Sequence, residues 1–401
     1  MFAKIALETR LDLFVFNLQR NTMIKRVLEK LITEELGKSR IIVLYGPRRV
    51  GKTTLVKAIG ESYSHKTKSP FLFLNCDEPD VRESLSNKNS EQLSRIIGRH
   101  KFIIIDEAQR VENIGITLKL IGDLKLAEYV IATGSSSFDL ANRINEPLTG
   151  RKVEFRMFPL LYRELMGRKE LDQIERTRLI KSLLVYGSYP EVINLSSNSE
   201  KRDYLLELTE STLYKDILEF KKIRKSSTIK TLLKALAYQA GSEVSYPEIG
   251  QQIGIDRQTV ESYINILEQA FIVYRLPPLT KNPRREISRF NKVFFVDNGI
   301  RNAIINRFEE FDDRNDRGEL WENWAITERY KLHKTTLDRR EHYFWRLKSG
   351  AEIDLVEDSS GKLSAYEFKV KAKKSFPHAS WLELYGDTPW NEISLDTFEI
   401  E

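Results

Sequence analysis

The chain has 401 residues, about 41% hydrophobic and 30% charged, with a formal net charge of +6. That length exceeds one ordinary core and that composition excludes a disordered or fibrous protein, so two or three folded domains are expected. The positive excess is mild and admits a polyanionic partner without requiring one.

The single cysteine, Cys76, excludes an intrachain disulfide and a cysteine-cluster zinc site. It reads as a buried core thiol at a strand end, in a reducing, cytoplasmic setting. No apolar run reaches the roughly 18 residues that span a bilayer, so no membrane partner is expected. The opening segment, 1–20, is only briefly apolar and carries Glu8 and Asp12, against a secretion signal. Packing on the first domain or a contact role is expected of it.

Ile41 to Tyr45 predict a buried parallel strand. The residues that follow, Gly46, Pro47, Arg48, Arg49, Val50, Gly51, Lys52, Thr53 and Thr54, fit G-x-x-x-x-G-K-[ST]. Its glycines allow a tight turn whose amides face phosphate oxygens, and the next helix adds its positive N-terminus. Lys52 is expected on the beta and gamma phosphates of ATP, and Thr53 on Mg2+. Phe71 to Asn75 predict another short strand. Residues 101 to 109 read KFIIIDEAQ, four apolar residues running into two carboxylates. A central strand of a doubly wound sheet ends this way where ligands bind. Asp106 is expected in the Mg2+ shell, Glu107 as the residue that polarises the attacking water, and Gln109 beside that water. A further strand, Tyr129 to Thr133, ends in Gly134, Ser135, Ser136 and Ser137. Thr133 or Ser135 there suits a gamma-phosphate or water contact, and a turn with a helix cap is the alternative.

These motifs, with Leu148-Thr-Gly-Arg151 and Phe158-Pro-Leu160 after them, resemble the AAA+-type ATPases of bacteria and archaea that carry a C-terminal, nuclease-like domain of unknown function. The resemblance implies that Arg151 meets the gamma phosphate, in cis or from a second copy of the chain. Arg48 matches the arginine that follows Gly-Pro in that family. Arg49 stands where the family carries an uncharged polar residue and is given no role.

From about 165 to 240 the pattern is helical, with Leu205, Leu206, Leu213, Ile217 and Leu218 as an apolar stripe. A lid and bridge beside the ATPase core is expected. The turn Tyr186-Gly-Ser-Tyr-Pro190 suggests no chemistry. Pro247 starts a short helix, Gly254-Ile-Asp256 makes a turn, and Asp256 caps a second helix with Val260, Ile264 and Leu267 inward. Phe271 to Leu276 then read as a strand. The order resembles a winged helix-turn-helix. Arg257, Gln258, Ser262 and Asn265 are its candidates for double-stranded DNA. Glu261 and Glu268 on the same helix argue against that partner, and the run Lys281 to Arg289 argues for it. Packing is the alternative role.

In the last hundred residues a helix opens near Gly318 and carries Glu322. Strands follow at His342 to Leu347, Ala351 to Val356 and Leu363 to Val370. Glu367 and Lys369, two apart, share a strand face. Metal-assisted phosphodiester hydrolysis needs carboxylates around Mg2+ and a lysine near the attacking water. Asp354, Glu367 and Lys369 supply that set and resemble the PD-(D/E)xK nuclease fold, with Ile353 in place of the proline. Asp354 and Glu367 are expected to bind one metal with Glu322 nearby, Glu352 sharing a face with Asp354 if the strand is regular. A salt-bridged sheet edge without chemistry is the alternative. The resemblance to the ATPase family also covers Trp345-Arg346, Glu352-Ile-Asp354 and Glu367-Phe-Lys369.

The expected fold is α/β: a P-loop AAA+-type ATPase core at 21–165, a helical lid at 166–240, a winged-helix domain at 241–300 and a PD-(D/E)xK nuclease-like α/β domain at 301–401. The expected function is Mg2+-dependent ATP hydrolysis coupled to a nucleic-acid-associated activity, with room for a C-terminal DNA nuclease. The alternatives are an ATP-dependent switch that binds a protein partner and has an inactive nuclease-like domain, and a nuclease regulated by ATP.

Overall fold

The computed structural model describes residues 23–38, 41–135, 148–167, 171–213, 226–280, 290–347, 350–372, 375–396 and 398. The segment 1–20, Ser136 and Ser137, Ile217 and Leu218, the side chain of Leu213 and the basic run 281–289 lie outside the described residues.

Helix α1 (Val27–Glu35) precedes strand β1 (Ile41–Tyr45), which feeds through a tight loop into helix α2 (Lys52–Thr67). Then come β2 (Phe71–Asn75), α3 (Pro79–Leu85), α4 (Ser90–Ile97), β3 (Phe102–Asp106), α5 (Ile114–Asp123), β4 (Tyr129–Gly134) and β5 (Lys152–Arg156). The strands pair in parallel in the order β2-β3-β4-β1-β5. Every residue of β1 and β3 is buried, as unbroken apolar strands require when helices cover both sheet faces. The first and third strands end beside each other across β4, so the loops after them share one edge.

Past β5 the chain leaves the sheet and enters α6 (Tyr162–Met166), α7 (Gln173–Tyr186), α8 (Pro190–Asn194) and α9 (Asn198–Glu207). Leu205 of the expected stripe is buried and Leu206 half-buried. Helix α10 (Ser226–Tyr238) comes next, followed by β6 (Glu243–Val244), α11 (Tyr246–Ile253), α12 (Arg257–Gln269), β7 (Val273–Leu276) and β8 (Asn291–Phe295). The three strands form an antiparallel sheet in the order β6-β8-β7. Asp256 caps α12 by accepting the Thr259 N–H at 2.8 Å, and Gly254 turns the chain with φ of +74°.

Helix α13 (Asn298–Ile305) leads to α14 (Arg317–Thr335), β9 (Glu341–Arg346), β10 (Glu352–Ser359), β11 (Lys362–Lys369), α15 (Ala379–Tyr385) and β12 (Trp390–Ser394). The sheet order is β12-β11-β10-β9, with only the β11–β12 pair parallel. The register of β10 against β9 shifts between Ile353 and Val356, so the strand is not regular past Asp354.

Helix α14 is shared property. It packs on β11, on β8 and on β5 of the first domain. Its Glu328 accepts the Tyr162 N–H at 2.7 Å and holds Lys331 at 2.8 Å, with both side chains nearly buried. Removing one member of such a pair strands the other charge out of water. Glu328→Ala should therefore destabilise the chain by about 3 kcal/mol, read as a lowered urea midpoint. A loss below about 1 kcal/mol would show that Tyr162 and Lys331 find other partners.

Candidate functional site

The loop between β1 and α2 is shaped by two glycines. A Cβ on Gly46 would lie 2.2 Å from the Met157 carbonyl oxygen, and Gly51 sits at φ +95°. Lys52, 5% exposed, turns its ammonium back onto the carbonyls of Gly46 and Pro47 at 2.8 and 3.0 Å. A lysine so placed stands at the phosphate cradle that the loop encloses. Thr54 is exposed on the first turn of α2, and Arg48 is half-buried.

Asp106 ends β3, buried, and is gripped from two sides. Thr53 Oγ1 donates to Oδ2 at 2.7 Å, and Thr133 Oγ1 donates to Oδ1 at 2.5 Å. Thr53 and Asp106 are hard oxygen donors within hydrogen-bond distance of each other, which fits Mg2+ replacing the proton between them. The next residue, Glu107, has φ of +51°, so its side chain leaves the strand direction. Its N–H donates to Thr133 Oγ1 at 3.1 Å. Gln109 Nε2 donates to Glu107 Oε2 at 2.5 Å and to Ser135 Oγ at 3.0 Å. The structure thus joins Lys52, Thr53, Asp106, Glu107, Gln109, Thr133 and Ser135 at one sheet edge. Thr133 takes a role other than the expected phosphate contact. Its one proton is committed to Asp106 and its oxygen to the Glu107 amide, so it positions both carboxylates. Cys76 is buried beside this edge, where burial and then Asp106 push its thiol up to about 12.

Arg151 is not at this edge. It precedes β5 at the level of Ile41, whose N–H donates to the Arg151 carbonyl at 3.0 Å, while the P-loop follows the far end of β1. Its guanidinium pairs with Asp123 at 2.7 Å. Five residues of strand separate it from the cradle, roughly 16 Å at 3.3 Å per residue, which excludes the expected contact in cis. Arg26 is the arginine that touches the loop. It donates to the carbonyls of Val50 at 2.9 Å and Phe158 at 2.6 Å, and pairs with Glu164 at 3.0 Å. A lone basic residue ahead of a helix carries no motif, so sequence reasoning passed it by.

A second charged cluster lies in the C-terminal half. Asp354 Oδ2 accepts the Phe368 N–H at 2.9 Å, and Lys369 bonds Glu367 Oε1. Glu367 Oε2 is buried without a hydrogen-bond partner. Burial, and for Glu367 also Asp354, raises both carboxyls above their usual range. Glu322 and Glu352 face Lys292, an unforeseen residue of β8, at 3.0 and 2.6 Å. Four carboxylates here face Lys292, Lys369 and the exposed Arg346, which is shared with Glu243 at 3.2 Å, so carboxylates outnumber cations. The orphaned oxygen and this excess fit one divalent cation on Asp354 and Glu367. Glu322 lies near Asp354 but is paired with the Lys292 ammonium, a pairing that does not fit it as a metal ligand. A lysine leading directly into the apolar run Val293 to Val296 was the sequence signal for Lys292.

Among the described residues, the ligand atoms of His333, His342 and Glu357 lie within 4.8 Å of one another. They make no metal centre. Both Glu357 oxygens accept from guanidinium groups, Arg329 at 2.6 and 3.1 Å and Arg340 at 3.1 Å, and a dication would be added beside two cations. The two rings bond each other instead, at 2.8 Å.

Residues 38–166 match the AAA domain family, and residues 177–310 and 317–386 match two domains of unknown function, DUF8612 and DUF4143. An uncharacterised protein of Mycobacterium bovis is 25% identical over 338 residues, 83% of this chain and 71% of that one. One of Methanocaldococcus jannaschii is 24% identical over 411 residues, 93% and 88% of the two chains. AMPPCP-bound DnaA from Aquifex aeolicus is similar with a TM-score of 0.31 and 16% identity, covering 62% of this chain and 90% of that one. Cdc6p from Pyrobaculum aerophilum has a TM-score of 0.30 and 13% identity, over 72% and 97%. No described helix is long and apolar enough to cross a membrane.

The histidine pair sets a pH dependence. Burial lowers His342 from 6.5 to about 3. Between those values the unfolded chain holds a proton that folded His342 refuses, so stability is full above pH 6.5 and falls as pH drops. Glu357 adds its own loss only below its ordinary 4.5, because Arg329 overrides burial and brings it to about 2. Between pH 6.5 and 4.5 the parent should lose stability relative to His342→Gln, by at most about 1.4 kcal/mol per pH unit. Urea titrations across that range measure it, and parallel slopes would mean that His342 does not titrate with unfolding.

Proposed function

The chain belongs to the AAA+ ATPases that carry a C-terminal DUF4143 domain, and from that premise we propose that it hydrolyses Mg2+-bound ATP at the P-loop and couples turnover to double-stranded DNA. The observation that carries the reading is the double grip on Asp106 by Thr53 and Thr133, with Glu107 turned out beside it. A carboxylate held by two hydroxyls keeps its orientation through a reaction cycle. Bound Mg2+ would supply charge neutralisation between phosphate oxygens. Lys52 and the loop amides of Gly46 to Thr54 would hold the phosphates, and Glu107, oriented by Gln109, would take a proton from the attacking water. Ser135 would fix Gln109. Arg151 retains a role only when a second copy brings it to the phosphates.

Residues 226–295 support a winged helix, with α11, a glycine turn and α12 packed beside a three-stranded sheet. Arg257 and Gln258 are exposed at the start of α12, and Ser262 and Asn265 are half-buried. Glu268 no longer weighs against DNA, since Arg275 binds it at 2.7 Å. Glu261 remains exposed. The helix–three strands–helix–strand order of 317–394 supports a nuclease-like fold, where Asp354 and Glu367 would hold one divalent cation and Lys369 would stabilise charge. A protein-partner switch is the second reading, favoured by the lysine that pins Glu322 and Glu352. The lone buried cysteine supports a reducing, cytoplasmic site.

Glu107→Gln should bind ATP normally and slow single-turnover hydrolysis by about 100-fold or more. Lys52→Ala should abolish turnover, and Asp106→Asn should weaken Mg2+-dependent binding. Duplex DNA should raise the parent's rate and fail to raise that of Arg257→Ala. Hydrolysis at the parent rate in Glu107→Gln would remove it as the base. No response to DNA, with ATP turnover intact, would leave the switch reading.

A further inference from the structure

Lys292 starts in one domain and ends in another. Its backbone belongs to β8, at the centre of the three-stranded sheet, paired with Glu243 and Leu276. Its side chain, 4% exposed, crosses the face of Phe344 and places its ammonium against Glu322 of α14 and Glu352 of β10. An ammonium is a strongly hydrated point charge, and burying one demands close carboxylates. Two carboxylates from separate elements meet that demand here, and both also lie near Asp354. Carboxylate oxygens that converge from several elements onto one point are what a hard divalent cation requires. At this point a nitrogen occupies the place.

We propose that Lys292 is a cation supplied by the protein itself, filling one of two cation positions in the C-terminal carboxylate cluster and keeping Glu322 and Glu352 from ligating metal. The chain then takes up at most one divalent ion in this cluster, on Asp354 and Glu367, and that part rests on the reading above. Lys369 cannot replace Lys292, because it is engaged with Glu367 on the next strand over. Unlike a metal ion, Lys292 cannot be chelated or diluted away. It ties the middle sheet to α14 and β10 at all concentrations of divalent ion.

The test is Mn2+ uptake by the full-length, nucleotide-free chain, followed by calorimetry and by the electron paramagnetic signal of free Mn2+. Lys292→Met should take up one more Mn2+ than the parent, and Lys292→Arg should match the parent. Equal uptake by Lys292→Met and the parent would overturn the proposal. A parent that binds no Mn2+ would end the Asp354–Glu367 reading alone, since a gain of one ion in Lys292→Met still supports the role of Lys292. If Lys292→Met unfolds in metal-free buffer, millimolar Mn2+ should restore its cooperative thermal transition. Failure of Mn2+ to restore it would equally overturn the proposal.

Discussion

The stretch Met157 to Leu161 has to find its hydrogen bonds outside itself, and most of the architecture follows from where it finds them. Backbone groups in a dry interior must be paired. The Met157 N–H goes to the Tyr45 carbonyl at the end of β1. The Phe158 carbonyl goes to Arg26, whose other nitrogens hold Val50 of the P-loop and Glu164. Pro159 has no N–H to satisfy. Leu160 donates to the Ser188 carbonyl in the helical bridge, and Leu161 to Glu164. Immediately afterwards Tyr162 donates to Glu328 of the C-terminal half. One short stretch thus bonds to the nucleotide loop, to the bridge and, through its last neighbour, to the distal domain. Arg26 thus joins the P-loop to this stretch through the Val50 and Phe158 carbonyls.

The bonding continues through groups that are costly to break. Asp297 is buried, with burial raising its carboxyl above the usual range, and it accepts the Ser188 N–H at 2.8 Å while capping α13 at Ile300. A Cβ on Gly187 would fall 1.9 Å from Asp297, and one on Gly299 would fall 2.2 Å from the Tyr186 carbonyl. Asn323 both accepts from and donates to the backbone of Phe295 at 2.8 Å, and Asn302 donates to the Leu184 and Val185 carbonyls. A buried polar seam of this kind admits few alternative packings, since any shift leaves unpaired donors. The bridge, α13 and α14 are therefore held in one packing.

How much of this was legible in the sequence depends on whether local pattern or distant contact decided the outcome. The strands around the nucleotide site announced themselves as apolar runs, and Lys52, Thr53, Asp106, Glu107 and Gln109 follow from position at strand ends. The cap at Asp256 and the face shared by Glu367 and Lys369 are equally local. The contact of Arg151 in cis failed because family order gave it a role without saying which end of β5 it occupies. The register with Ile41 decides that, and register is a property of two strands. Lys292 escaped for the same reason, being defined by partners 30 and 60 residues later in the chain. The turn at Gly187 suggested no chemistry. Its glycine is required by a carboxylate from a helix far along the chain.

The two charged sites differ in what holds them, and that difference bears on how they are used. At the P-loop, Asp106 is held by neutral hydroxyls, which leave its full negative charge available to a cation arriving with nucleotide. In the C-terminal cluster, Glu322 and Glu352 are held by a fixed cation, which spends their charge inside the protein. Neutral positioning suits a site that must load and unload a charged ligand in each cycle, because the site's charge reappears whenever the ligand leaves. Fixed ionic pairing suits a site whose geometry must persist through that cycle. Burial raises Glu322 even with Lys292 beside it, and Asp354 and Glu352 add to the rise. On the Asp354 and Glu367 side, Glu367 Oε2 is buried without a hydrogen-bond partner. The nucleotide site is thus held by neutral groups, and Glu322 and Glu352 of the distal cluster by a fixed ammonium.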